Sequence, residues 1–146
     1  GYVDQDGGGD GASMLVDEHG WVSSGDMGYV DEDRVLFLSG RKRDLIKTGG
    51  FQIWPAELET ALREHDAVRD AAVVGAPHAR LGEIPKAYVV LAEGVEEDGA
   101  ADVLIAHVRD RLAHFKAVRE VAFLDALPRT DAGKVDRGAL MRQVQA

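Results

Sequence analysis

Gly40-Arg41-Lys42-Arg43-Asp44-Leu45-Ile46-Lys47-Thr48-Gly49-Gly50 runs without a break into Phe51-Gln52-Ile53-Trp54-Pro55-Ala56-Glu57-Leu58-Glu59. The first half concentrates cations and closes on paired glycines. The second half reads as the start of a helix: Pro55 suits a first helical position, acids in the first turn favour the dipole, and Leu58, Ala61 and Leu62 form an inward stripe. A second basic, glycine-bearing segment lies far along the chain, Pro128-Arg129-Thr130-Asp131-Ala132-Gly133-Lys134-Val135-Asp136-Arg137. Glycine tolerates φ > 0 and close backbone approach, so a Gly-Lys step in a polar loop can set an ammonium group against an anion without steric cost.

Working outward from these segments, Ala71-Ala72-Val73-Val74 and Ala87-Tyr88-Val89-Val90-Leu91 read as buried strands, with His78 to Pro85 as the loop between them. Leu104, Val108 and Leu112 share one face of a second helix. Val121 to Leu124 form a third strand, and a last helix follows Asp136. Strands alternating with helices predict an α+β unit, a small three-stranded sheet flanked by helices. Before it, Trp21 to Leu38 reads as a β-hairpin with an acidic turn at Asp31-Glu32-Asp33.

The chain has 146 residues and a formal net charge of −9, with no cysteine. A phosphate backbone would be repelled, so nucleic acid is not expected as a partner. Disulfides, thiolate nucleophiles and cysteine-ligated zinc are excluded. No apolar run approaches a membrane span and no signal-peptide pattern opens the chain, so a soluble cytoplasmic protein is expected. The Gly- and Asp-rich stretch Asp4 to Ser13 reads as a surface loop. It lacks the residues after it that a phosphate cradle needs, and position twelve of a calcium loop would be Leu15, where Glu is required. His107 and His114 share a helix face without carboxylate or thiolate company, and His19, His65 and His78 read as loop or helix-end residues, so no metal site is expected.

Gly20-Trp21-Val22-Ser23-Ser24-Gly25-Asp26-Met27-Gly28, the segment Gly40 to Glu59, Leu81-Gly82-Glu83 and Pro128 to Arg137, in this order, resemble the C-terminal part of the adenylate-forming acyl-CoA synthetases. Firefly luciferase and the adenylation domains of peptide synthetases belong to the same superfamily. Gly1-Tyr2 resembles the close of a further family motif. The resemblance implies that residues 1–40 end a large adenylation domain, missing here, and that 41–146 form the C-terminal lid, with a hinge near Arg43. The opening on Gly rather than Met fits a fragment, expected to be inactive alone. The family joins a carboxylic acid to ATP, releasing pyrophosphate, and then transfers the acyl group to a thiol. The implied cofactors are ATP, magnesium and coenzyme A, bound mainly by the missing domain.

The resemblance also implies roles. Lys134 matches the lysine that bridges the reacting carboxylate and α-phosphate, where it lowers the repulsion between two anions and aligns them; otherwise it is a solvated loop lysine. Asp26 resembles the aspartate that accepts both ribose hydroxyls, and Arg41 an arginine that holds the same nucleotide. Without the nucleotide, Asp26 is a turn former after Gly25 and Arg41 pairs with Asp44. Arg43 stands at the pivot, where many members carry Asp or Lys, or it is a third solvated cation. Lys47, Gly49 and Gly50 belong to the face that meets the thiol, or the two glycines simply form a turn. Ser24 stands where Thr is usual, Val118 where Pro is frequent, and Arg34 replaces a common turn glycine. Wording around Gly49-Gly50 favours coenzyme A as acceptor. A carrier protein, or a noncatalytic module binding nucleotide, coenzyme A or a protein, are the alternatives. Apolar surface from Met14 to Leu38, separated from its partner domain, is expected to be mobile or to drive self-association. The acid remains unread, because its pocket lies in the missing domain.

Overall fold

The computed structural model describes residues 18–113 and 115–145. Gly1-Tyr2, the Asp4–Ser13 loop, Met14, Leu15 and His114 therefore lie outside the described residues. A hairpin comes first, β1 (Asp26–Val30) paired antiparallel with β2 (Leu36–Arg41). Its turn is the acidic one expected. Asp31 accepts the Arg34 amide through its carbonyl at 3.1 Å, and its Oδ1 accepts the Val35 amide at 2.8 Å. A single 3₁₀ turn, Lys42–Asp44, then leads to β3 (Ile46–Thr48), β4 (Phe51–Ile53) and α1 (Pro55–Arg63).

The remaining elements are β5 (Val68–His78), β6 (Gly82–Leu91), α2 (Ala100–Arg111), β7 (Glu120–Phe123) and α3 (Arg137–Gln145). The three expected strands are β5, β6 and β7. A short hairpin, β3–β4, extends them to a five-stranded sheet of order β4-β3-β6-β5, with β7 parallel to β6. Strands of three residues are too short to carry a readable alternation, which is why the hairpin escapes sequence reading.

Alternation sorts the long strands. Ala71 and Val73 pair with Val89 and Ala87, and these side chains pack with Ile46, Ile53, Leu58, Leu62, Leu104 and Val108 beneath α1 and α2. Ala72, Val74, Tyr88 and Val90 point the other way, against Leu127 and Leu140 of the α3 side. With both faces covered, near-continuous apolar runs are what burial requires. The inward stripe of α1 is as expected, with Leu58, Ala61 and Leu62 all buried.

The loop expected over His78 to Pro85 is shorter, because β5 continues to His78 and β6 begins at Gly82. Pro85 sits inside β6 opposite Gly75. Its carbonyl accepts the Arg119 amide at 2.9 Å, so its nitrogen faces the same edge, away from β5. The missing N–H thus costs the β5–β6 ladder nothing. His78 is the last residue of β5, and its Nδ1 accepts the amides of Arg80 and Leu81 at 3.3 and 3.2 Å, closing the turn. His107 ties α2 to α1, its Nε2 donating to the Ala61 carbonyl at 2.9 Å.

Candidate functional site

The basic segments form three groups on the fold. The first lies at the open end of the β1–β2 hairpin, where register sets Asp26 opposite Arg41. Arg41 Nε stands 3.4 Å from Asp26 Oδ1, and the Ser24 hydroxyl accepts the Asp26 amide at 3.2 Å. The alternative partner for Arg41, Asp44, is taken instead by Arg43 at 3.6 Å. Ser23, Ser24, Gly25, Arg41, Lys42 and Arg43 line an open groove of about 350 Å³ here. Two hydroxyls and three cations line the groove, and the Asp26 carboxylate stands behind it as the partner of Arg41, a set of groups with donors for an anion.

Arg43, the expected hinge, lies on the 3₁₀ turn that joins this groove to the main sheet. The turn is fastened on one side by the Lys42 amide, donating to the Gly25 carbonyl at 2.8 Å. Gly40 precedes it at φ +144, and a Cβ there would stand 3.2 Å from the Trp54 ring. Backbone conformation and the close approach of the indole therefore both call for glycine.

The second group is the β3–β4 hairpin. Thr48 pairs with Phe51, and Gly49 and Gly50 form its turn at φ +54 and +88, as the turn reading expected. Two positive φ values in a two-residue hairpin loop match the twist of the strands, and Gly-Gly meets the demand without strain. Lys47 is exposed beside it. Its backbone amide donates to Glu83 Oε2 at 2.8 Å, and the Gly49 amide to the Leu81 carbonyl at 2.9 Å. Glu83 reaches this position across Gly75, where a Cβ would lie 3.0–3.1 Å from the carboxylate. Glu83 entered the sequence reading only as part of Leu81-Gly82-Glu83 and Gly75 not at all, and their approach follows from the β5–β6 register.

The third group is the Pro128–Arg137 loop. Arg129 and Val135 form an isolated antiparallel bridge. Between them the Thr130 amide donates to the Lys134 carbonyl at 2.8 Å, and the Gly133 amide to the Thr130 carbonyl at 2.8 Å. Gly133, at φ +76, takes the left-handed position that closes this turn. Asp136 then caps α3, its Oδ1 accepting the Ala139 amide at 2.9 Å. Lys134 stands exposed at the end of the loop. Lys86 and Lys116 are ion-paired with Glu120 and Glu57, whereas Lys42, Lys47 and Lys134 carry no ion pair among the described residues. Lys134 does not line the Arg41 groove, so the three groups remain separate here.

An alternating chain of charges runs between the hinge and this loop. Arg137 lies 3.6 Å from Asp44 and donates to buried Glu59 at 2.7 Å. Arg63 links Glu59 to Asp70, and Asp70 Oδ2 accepts from Arg129 at 2.7 Å. Glu59 also accepts the Val73 amide at 2.9 Å, so its buried charge is met on more than one side.

A family profile described as the AMP-binding enzyme C-terminal domain matches residues 57–134, from the first turn of α1 to the lysine just described. That span is more than half of the 146 residues. The chain belongs to the AMP-binding enzyme C-terminal domain family.

Its relatives are ligases in name. A (methyl-dioxo-octahydro-indenyl)propanoyl:CoA ligase of Mycobacterium tuberculosis is 42% identical over 96% of this chain and 27% of its own length. The long-chain-fatty-acid–CoA ligase of Bacillus subtilis is 41% identical over 90% of this chain and 23% of its own length. Among solved structures, ATP-bound MatB from Rhodopseudomonas palustris superposes with a TM-score of 0.80 at 35% identity, covering 87% of this chain and 25% of that one. This AMP-binding C-terminal domain and its preceding hairpin thus span about a quarter of the relatives they match.

Proposed function

We propose that this chain is the C-terminal lid region of an ATP-dependent, AMP-forming acyl-CoA synthetase, with residues 1–40 ending the large adenylation domain and 41–146 forming the lid. The single feature that carries the proposal is Lys134: an exposed ammonium group without an ion-pair partner among the described residues, on a loop closed by its own backbone hydrogen bonds. Such a group is ready to serve another anion.

In the first half-reaction a carboxylate approaches the α-phosphate of ATP, and repulsion between the two must be overcome. Lys134 bridges their oxygens, which offsets the repulsion and aligns the attack. Asp26 accepts the ribose hydroxyls, and Arg41, held beside it by the hairpin register, contributes a guanidinium to the same nucleotide. Arg43 is the pivot. In the second half-reaction the β3–β4 face, with Lys47 and the bare backbone of Gly49 and Gly50, receives the thiol arm of coenzyme A. ATP supplies the adenylyl group that activates the carboxylate, with pyrophosphate as leaving group, and coenzyme A supplies the acceptor sulfur, with AMP leaving. Among the described residues no group of three or more His, Asp or Glu is placed to hold a metal ion. A magnesium ion travelling with ATP would be held mainly by phosphate oxygens, water and the large domain.

No helix among the described residues is long and apolar enough to cross a membrane, and a cytoplasmic enzyme acting on a carboxylic acid fits the reading. The test is a panel of carboxylic acids given to the intact enzyme with ATP, magnesium and coenzyme A. Formation of AMP, pyrophosphate and an acyl-CoA is the expected result. Acyl adenylates that pass to a phosphopantetheinylated carrier protein but never to coenzyme A would overturn the choice of acceptor. Absence of any acid-dependent pyrophosphate would overturn the proposal as a whole.

A further inference from the structure

Next to Lys134, the Pro128–Arg137 loop is tied to β5 by the side chain of one of its own residues. Arg129 donates through one terminal nitrogen to the Gly133 carbonyl at 2.9 Å and through the other to Asp70 Oδ2 at 2.7 Å. Gly133 immediately precedes Lys134 in the chain, so the carbonyl that Arg129 grips belongs to the peptide from which the lysine springs. Asp70 is itself fixed. Its Oδ1 accepts the Ala71 amide at 2.9 Å and the Arg63 Nε at 3.3 Å, both on the rigid α1–β5 layer. Without Arg129, the loop's described anchors are its internal turn bonds, the Arg129–Val135 bridge and the Asp136 amide to the Pro128 carbonyl at 2.8 Å. Those bonds shape the loop, and its attachment to β5 is then left to Arg137 at its far end, which donates to the Val73 carbonyl at 2.8 Å; none of these described bonds ties the Gly133 carbonyl to β5.

We infer that Arg129 is a positioning residue: by clamping the Gly133 carbonyl to Asp70, it fixes the direction in which Lys134 leaves the domain. The planar guanidinium suits the task because two donors with fixed geometry reach two acceptors at once, whereas an ammonium holds a single point. Small misplacements of a charge-stabilising group are costly to a reaction that depends on its alignment. The inference rests on the proposed role of Lys134 in acid activation.

The experiment compares Arg129→Ala, Arg129→Lys and Lys134→Ala in the intact enzyme by acid-dependent ATP–pyrophosphate exchange and by thioester formation from preformed acyl adenylate. Hydrogen exchange of residues 129–135 is read alongside. Arg129→Ala is expected to lower kcat of the first half-reaction on the order of tenfold to a hundredfold, leaving KM for ATP and the thioester step near wild type. Arg129→Lys should restore part of the loss, and exchange at Thr130 and Gly133 should quicken in the alanine variant. Wild-type exchange and kcat in Arg129→Ala, beside a crippled Lys134→Ala, would overturn the clamp. Equal loss of both half-reactions in Arg129→Ala would overturn it too, marking the residue as structural. A fully active Lys134→Ala would instead remove the reading on which the clamp rests, whatever Arg129 does.

Discussion

Arg34 holds φ +64 in the turn between β1 and β2, the one described residue other than glycine with positive φ. Its turn repeats the hydrogen bonding of the lysine loop. In one, the Asp31 amide donates to Val35 and the Arg34 amide to Asp31; in the other, Thr130 donates to Lys134 and Gly133 to Thr130. Gly133 occupies in the second turn the left-handed position that Arg34 occupies in the first. A Cβ there crowds the following carbonyl, at a cost of about 1 kcal/mol. Arg34→Gly is therefore expected to stabilise the hairpin by roughly that amount, partly offset by the greater freedom of glycine in the unfolded chain. Slower exchange of the Val35 amide, which Asp31 holds in the turn, would report the gain; unchanged or faster exchange would show that the strain is relieved elsewhere. The sequence carried this position as a departure from a common turn glycine, and the backbone shows why glycine is common there.

At the scale of elements, Gly75, Glu83 and the Lys47 amide form a unit that docks the β3–β4 hairpin against the start of β6. Gly75→Ala would press a methyl group against the Glu83 carboxylate and is expected to destabilise the domain by about 1–3 kcal/mol, as overpacking does. Combining it with Glu83→Ala should recover much of that loss, so denaturant midpoints of the single and double variants would be non-additive; strict additivity would show that the two residues do not meet. Such a unit is not legible in sequence. Helix α1 was legible because Pro55 and its Leu58, Ala61 and Leu62 stripe are local signals, and β5 and β6 because their apolar runs are long. Partner choice is different. Arg129 meets Asp70 and Arg137 meets the Val73 carbonyl across separations of 59 and 64 residues, decided by strand register and by where α3 packs. Pro85 also misled in a definite way: read as a loop marker, it is a strand residue facing an edge where no donor is required.

On the scale of the whole molecule, the β1–β2 hairpin and the main sheet differ in how they treat apolar side chains. Strands β5 and β6 of the main sheet bury theirs on both faces, whereas Trp21, Tyr29, Leu36 and Leu38 of the hairpin region stand 73%, 60%, 61% and 70% exposed. That surface is consistent with residues 1–40 belonging to a larger partner domain. Without such a partner it is expected to associate, so light scattering of the isolated chain should show mass rising with concentration, and a monomer at all concentrations would contradict this. The isolated chain is also expected to turn over no ATP, because the groove beside Asp26 and the loop of Lys134 offer only part of a site. In the proposed reaction the ammonium at Lys134 is the group that must join these parts, and Lys134→Ala in the intact enzyme tests it most directly. Acid-dependent ATP–pyrophosphate exchange should fall on the order of a hundredfold to a thousandfold, the usual consequence of removing one preorganised donor at a developing charge; exchange at the wild-type rate would contradict the account.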